Sequence, residues 1–155
     1  MSAIDVRTVK SFIIFDIVYI SKLINDYMQK PRVFVVQQDE DANILLSGML
    51  CLKGIEAHKF TTGEDCIKKI KEFKGKVDVV IISGDIASDR YLKIVLSIKE
   101  INNNIKILVI AEEDSEKTRL LGYGADEFTL KPMSPENVAD KVFMLISREA
   151  ILDNR

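Results

Sequence analysis

Ser83 and Lys131 are the two residues of this sequence best equipped for chemistry, because each closes an apolar run and a hydroxyl and an ammonium so placed can meet in space. Ser83 ends Val77-Asp-Val-Val-Ile-Ile-Ser83, and Lys131 follows Glu127-Phe-Thr-Leu130 and precedes Pro132. Two further runs close on Gln37-Gln38 and on Ile110-Ala111. A serine hydroxyl is a weak nucleophile without a base beside it, and the single histidine, His58, lies in a different run. Magnesium is a hard cation that seeks charged oxygens, so two neutral amides and a hydroxyl are expected to bind it weakly or not at all. No other cofactor or metal is indicated. These residue types can hydrogen-bond one another around one positive charge, which makes Lys131 a candidate contact for an anion. Asp39, Glu40, Asp41 and Asp85 lie in the adjoining loops. They read as solvated acids, with Asp41 capping a helix; the alternative, a displaced cation site, needs the first run to shift by one residue.

For the ends of these runs to converge, the runs must be strands of one sheet. From Arg32 onward, short β-branched runs alternate with segments of helical period, the pattern of βα units around a parallel sheet buried on both faces. Strands are expected at 33–36, 56–60, 77–82, 105–110 and 127–130. The first helix after residue 41 carries Ile44, Leu45, Met49, Leu50 and Leu52 and stops at Gly54. Thr62 heads the next, with Cys66, Ile67, Ile70 and Phe73 at helical spacing, and further helices fit 91–101 and 115–122. Ser134-Pro-Glu-Asn137 is a helix start leading into Val138, Val142, Phe143, Leu145 and Ile146. In a doubly wound α/β sheet of this kind, ligands and chemistry gather at the carboxyl ends of the strands, where Gln37, Ser83, Ile110 and Lys131 fall.

Asp78-Val-Val-Ile-Ile-Ser83 and Gly124-Ala-Asp-x-Phe-x-x-Lys-Pro132 resemble the third and fifth strands of response-regulator receiver domains, and the likeness covers residues 32–150. The resemblance implies a CheY-like, flavodoxin-like fold: a doubly wound five-stranded parallel sheet of order 2-1-3-4-5. Receivers hold magnesium on an acidic pair after the first strand together with an acceptor aspartate after the third. They contact the phosphoryl group through a Ser/Thr after the fourth strand and a lysine after the fifth. At those positions this chain carries Gln37 and Gln38, Ser83, Ile110 followed by Ala111, and Lys131, so only the lysine matches. Phe128 falls at the aromatic position that receivers use as a switch, although an aromatic on a last strand also reads as packing. The output face of such domains maps to 115–122, 127–130 and 136–146. The resemblance therefore implies a pseudo-receiver without a catalytic residue: a phosphorylation-independent module that binds a protein partner in two-component-like signal transduction. The alternative is a switch controlled by an anion, a small ligand or unusual phosphorylation at the remodelled pocket.

Composition fits one core with an extension. The chain has 155 residues, 47% apolar and 30% charged, too few for two ordinary domains. Its net charge of −2 comes from intermixed acids and bases, without the basic surplus of a nucleic-acid footprint. Cys51 and Cys66 have no metal-ligand or disulfide spacing and read as small buried hydrophobes in a reducing cytosol. No GxGxxG, GxxxxGK[ST] or GxSxG motif is present, which argues against an enzyme. No secretory signal is visible, and Asp16, Lys22, Asn25 and Asp26 interrupt the apolar stretch 12–27, so a cytoplasmic chain without a membrane span is expected.

Residues 1–30 lie outside the receiver resemblance, which leaves a receiver-like domain at 32–150 and a tail at 151–155. Val6, Val9, Ile13, Ile17, Ile20, Leu23, Ile24, Tyr27 and Met28 fall on one stripe at helical spacing, and Pro31 ends the pattern. A helix of about 25 residues, about 37 Å long, is predicted. Positions 6, 13, 20, 27 and 10, 17, 24 form a heptad seam interrupted by Lys10, which favours a homodimer through a short parallel coiled coil. Packing on its own domain through Phe12, Phe15, Val18 and Tyr19 is the alternative, and a strand over the β-branched stretch 12–20 is a third reading.

Overall fold

The computed structural model describes residues 6–83 and 88–153; the side chains of Phe12 and Lys22 and of residues 25–28, 88–89 and 148–153 lie outside that description. The chain divides into two compact units, Met1–Lys30 and Pro31–Arg155. The first contains α1 (Val6–Met28), a 23-residue helix about 35 Å long, so the strand reading for 12–20 does not hold.

In the second unit, β1 (Arg32–Gln37), β2 (Glu56–Phe60), β3 (Val79–Ser83), β4 (Lys106–Ala111) and β5 (Glu127–Leu130) form one parallel sheet in the order β2-β1-β3-β4-β5. The crossovers are α2 (Glu40–Leu52), α3 (Gly63–Glu72), α4 (Ser88–Ile101) and α5 (Lys117–Gly122), and α6 (Pro135–Asp153) closes the chain, running into the tail expected from 151. This is the doubly wound α/β arrangement of order 2-1-3-4-5 expected from the sequence.

Successive strand residues point to opposite faces, so each buried strand feeds two cores. Phe34, Val36, Val80, Ile82, Ile107 and Val109 pack against Cys66 and Ile70 of α3, Ile94, Val95 and Ile98 of α4, and Leu120 of α5. On the other side, Val33, Val35, Val79, Ile81, Leu108 and Ile110 meet Leu46 and Leu50 of α2 and Val138, Ala139, Val142 and Leu145 of α6. Burial pushes the Cys66 thiol up to about 12, so it stays neutral in the core. Cys51 is exposed, contrary to its reading as a buried hydrophobe.

Local signals set most helix ends. Thr62 accepts from the Asp65 amide at 3.2 Å and Ser134 from the Asn137 amide at 3.2 Å. The cap of α2 is Asp39, whose carboxylate accepts from the Ala42 amide at 3.1 Å; Asp41, expected to cap, sits exposed inside the first turn. Gly54 ends that segment at φ +85, a left-handed conformation that glycine adopts without a Cβ penalty.

The face that α2 buries also differs from expectation. Leu46 and Leu50 point inward together with Asn43 and Ser47, while Ile44, Leu45 and Leu52 point out. At the base of the sheet, Arg32 pairs with Glu56 and its guanidinium lies 4.3 Å from the Phe73 ring centroid. The Arg32 hydrogen bond holds the Glu56 carboxyl below its ordinary range.

Gly63 lets α3 approach α4 closely, since a Cβ there would stand 2.3 Å from Ile94 Cδ1 and 2.5 Å from Cγ1. Gly63→Ala should therefore overpack this contact and lower stability by about 1–3 kcal/mol in urea unfolding. Adding Ile94→Val, which removes the closest carbon, should recover part of the loss.

Candidate functional site

The parallel register places Gln37 beside Ser83, Ser83 beside Ile110, and Ile110 beside Thr129, one row across the carboxyl end of the sheet. Paired residues share a face, so this row extends the surface lined by Val35, Ile81 and Leu108 toward α2 and α6. At its centre the Gln37 Nε2 donates to Ser83 Oγ at 3.1 Å, and the Asp39 amide donates to Gln37 Oε1 at 3.1 Å. Both side chains are buried, 5% exposed at Gln37 and 4% at Ser83. A buried amide with both ends satisfied costs little, whereas either partner alone would leave a polar atom without a bond.

A second cluster adjoins this pair, and sequence reasoning missed it. Asn43 donates through Nδ2 to Phe60 O at 3.1 Å and, at 3.4 Å, to Val35 O and Gln37 O. Its Oδ1 accepts from Ser47 Oγ at 2.9 Å. One buried amide thus ties the ends of β1 and β2 to the inner face of α2. The spacing of Asn43 and Ser47, one helical turn apart, was the available signal, but polar residues among leucines read as a solvent face.

The remaining expected positions divide. Gln38 is exposed in the bend that follows β1, outside the row. Ile110 is buried against α2 and α6, and Ala111 is buried on the opposite face with Phe128. Phe128 pairs in register with Val109 and packs in that core. Lys131 is partly buried after β5, its amide donating to Ala111 O at 2.9 Å, and the Lys131–Pro132 peptide is cis. Among the described residues, the Lys131 ammonium makes no hydrogen bond or ion pair.

Of the loop acids, Asp39 caps α2, Glu40 and Asp41 are exposed, and Asp85 lies outside the described residues. Among the described residues no three His, Cys, Asp or Glu side chains are grouped to hold a metal ion. An open cleft of about 240 Å³ lies beside the site, lined by Glu40, Asn43, Lys59, Phe60, Thr61 and Asp65. Glu40 and Asp65 there offset the charge of Lys59.

A five-stranded 2-1-3-4-5 sheet with its polar residues collected at the strand carboxyl ends defines the class as a doubly wound α/β module of the flavodoxin-like kind. The family profile of the response regulator receiver domain matches residues 33–143, and the chain belongs to that family. It is 24% identical over 120 residues to the transcriptional regulatory protein PrrA of Mycobacterium tuberculosis, covering 76% of this chain and 51% of that protein. It is 22% identical over 123 residues to the aerobic respiration control protein ArcA of Escherichia coli K12, covering 78% and 50%. The chain thus spans about half the length of these curated relatives. Among solved structures, a two-component response regulator from Clostridium difficile superposes with a TM-score of 0.68 at 23% identity, over 77% of this chain and 98% of that one.

Asn43→Ala removes the donor to three carbonyls and strands the Ser47 hydroxyl. A loss of about 2–4 kcal/mol in chemical denaturation is expected. Asn43→Asp, which keeps the acceptor for Ser47 but buries a charge, should fare no better.

Proposed function

We propose that this receiver domain works without phosphorylation, as a protein-interaction module in two-component-like signalling. The observation that carries the reading is the buried, neutral Gln37–Ser83 pair. Phosphoryl transfer in this family needs an acceptor and a magnesium ion, and here an amide and a hydroxyl stand hydrogen-bonded to each other in place of carboxylates. Ile110, apolar and buried, offers no hydroxyl to a phosphoryl oxygen, and the described residues place no base against Ser83. On this reading the domain is not an enzyme, binds magnesium weakly or not at all, and acts in the cytoplasm. No described helix is long and apolar enough to cross a membrane.

The test is direct. The purified chain, incubated with magnesium and acetyl phosphate, should keep its intact mass; a phosphorylated species mapped to Ser83 or to a nearby aspartate sinks the proposal.

A second reading is favoured by one observation, the Lys131 ammonium without a partner among the described residues. It is an anion- or ligand-controlled switch. Titrating inorganic phosphate while following the amide shifts of Lys131 and of the β5 residues separates the two, because only the switch gives saturable shifts there.

The partner proposed for α1 is a second copy of the chain. Val6, Ile13, Ile17, Ile20 and Ile24 of the heptad seam are exposed, and Tyr27 lies among residues whose side chains are not described. Such a seam gains its stability when a second helix covers it. Light scattering on the full chain should give a dimer mass at micromolar concentration. Ile17→Glu with Ile24→Glu should shift it toward monomer at least ten-fold in dissociation constant; an unchanged mass distribution removes α1 from the interface.

A further inference from the structure

Two clusters of opposite charge lie at opposite ends of one face of the receiver unit. Residues 68–76 hold five lysines against one acid, Glu72, and that acid pairs with Lys69 at 3.1 Å. Lys68, Lys71, Lys74 and Lys76 are exposed, and among the described residues their ammonium groups make no ion pair or hydrogen bond. Cations favour the carboxyl end of a helix, which accounts for Lys69 and Lys71 in the last turn of α3. Lys74 and Lys76 lie beyond it. Lys74 also stands at φ +56, a left-handed conformation that side chains rarely adopt and that glycine takes without a Cβ penalty. A lysine held there points to a use for its charge.

The opposite charge gathers at 112–116. Glu112, Glu113 and Asp114 are exposed and make no ion pair among the described residues, while Glu116 lies 3.7 Å from Arg119. None of the three caps α5, which starts without a side-chain bond to its first turn. The two clusters are too far apart to pair within one copy. The lysines of α3 precede β3 at the amino ends of the strands, whereas 112–116 follows β4 at the carboxyl ends, and β4 alone is about 20 Å long. Both belong to the face covered by α3, α4 and α5. Between them α4 presents Leu96, 40% exposed.

We infer that this face packs against the same face of a second copy about a twofold axis, the lysines of each α3 meeting the 112–116 loop of the other. A twofold axis that lies in the interface, perpendicular to the line joining two patches, exchanges them. Both ionic contacts then form at once and the pair closes. Charge selects the occupant. A nucleic acid or an anionic bilayer laid across this face would attract the lysines and repel the acids, whereas a second copy meets each with the opposite sign. Leu96 falls between the two contacts, where the partner's side chains remove it from water. Exposed ion pairs are individually weak, so the contact depends on several acting together and is sensitive to salt. It lies within the receiver unit and is independent of the α1 seam.

The experiment is charge reversal in the full chain carrying Ile17→Gln with Ile24→Gln, which unseats the α1 seam without adding charge. Sedimentation velocity at high micromolar concentration reads the association that remains. A dimer is expected whose dissociation constant rises at least ten-fold between ~0.1 M and ~1 M sodium chloride, as the screening length falls from about 10 to about 3 Å. Lys68→Glu with Lys71→Glu should raise the constant at least ten-fold at the lower salt, and so should Glu112→Lys with Glu113→Lys. Lys74→Glu with Lys76→Glu, outside the helix, repeats the first reversal should α3 not tolerate it. Mixing a lysine-reversed with an acid-reversed variant restores opposite charges at both contacts and should return a heterodimer within about three-fold of the parent constant. A monomeric parent overturns the inference, as does a dimer indifferent to salt and to both reversals. Reversals that weaken association singly without recovery on mixing overturn it too, because the lysines and the acids then have separate partners. Binding of a monomeric parent to phosphatidylserine vesicles or to polyuridine, lost on lysine reversal, assigns the lysines to an anionic polymer or surface instead.

Discussion

The structure depends on one constraint: β1, β3 and β4 are buried on both faces. A strand so placed gives all its backbone polar groups to the ladder and has room for apolar side chains alone, which is why these segments read as continuous β-branched runs. Polar side chains are then admitted only where the strands end. The parallel register brings those ends into line and puts Gln37, Ser83, Ile110 and Thr129 in one row, so the composition of the site follows from the ladder before any functional demand is considered. Asn43 completes this end of the sheet, donating to carbonyls at the ends of β1 and β2.

The row is electrically quiet. An ionised side chain buried to the degree of Gln37 or Ser83 would need a paired charge or a metal to offset the loss of hydration. An amide and a hydroxyl meet the same burial with one hydrogen bond between them, and neither titrates in the physiological range. Lys131 lies at the rim, partly exposed. A neutral pair with satisfied bonds has no second protonation state to populate; on the proposed reading, a change at this end of the sheet comes from a molecule that binds one arrangement better than another.

Legibility in the sequence follows the same physics. Strands were clear because double burial leaves an unbroken apolar signal, and the Thr62 and Ser134 caps were clear because each stands alone before its helix. The cap of α2, expected at Asp41, falls at Asp39, since only the backbone turn at Asp39 decides which carboxylate meets a free amide. The inner face of α2 was misread for a deeper reason. Ile44, Leu45, Leu46, Leu50 and Leu52 surround the helix, so periodicity cannot say which way it points; Asn43 faces the carbonyls of Val35, Gln37 and Phe60, and Ser47 is held inward by its bond to Asn43. Gln37 and Gln38 looked equivalent as a pair, and β1 ends between them. The site's residue types were thus readable, while their bonding depended on register and helix rotation that no local pattern carries.

A receiver that works without phosphorylation, as proposed, must still change state if it is to carry information. Mass action supplies a means, since any partner that binds one assembly state stabilises that state in proportion to the logarithm of its concentration over its dissociation constant. On the scaffold reading, the proposed self-association of α1 through its exposed apolar residues gives such an equilibrium between separate and assembled copies. A protein partner that prefers the assembled form would then be read out through it, with a ten-fold preference equivalent to about 1.4 kcal/mol of coupling. Coupling of that size lies within reach of a few apolar side chains, each worth about 1.5–3 kcal/mol when fully buried. The sheet and its neutral row then serve as a rigid frame that fixes the spacing of the strand ends and of α2, and the variable part of the signal lies on the helices outside it.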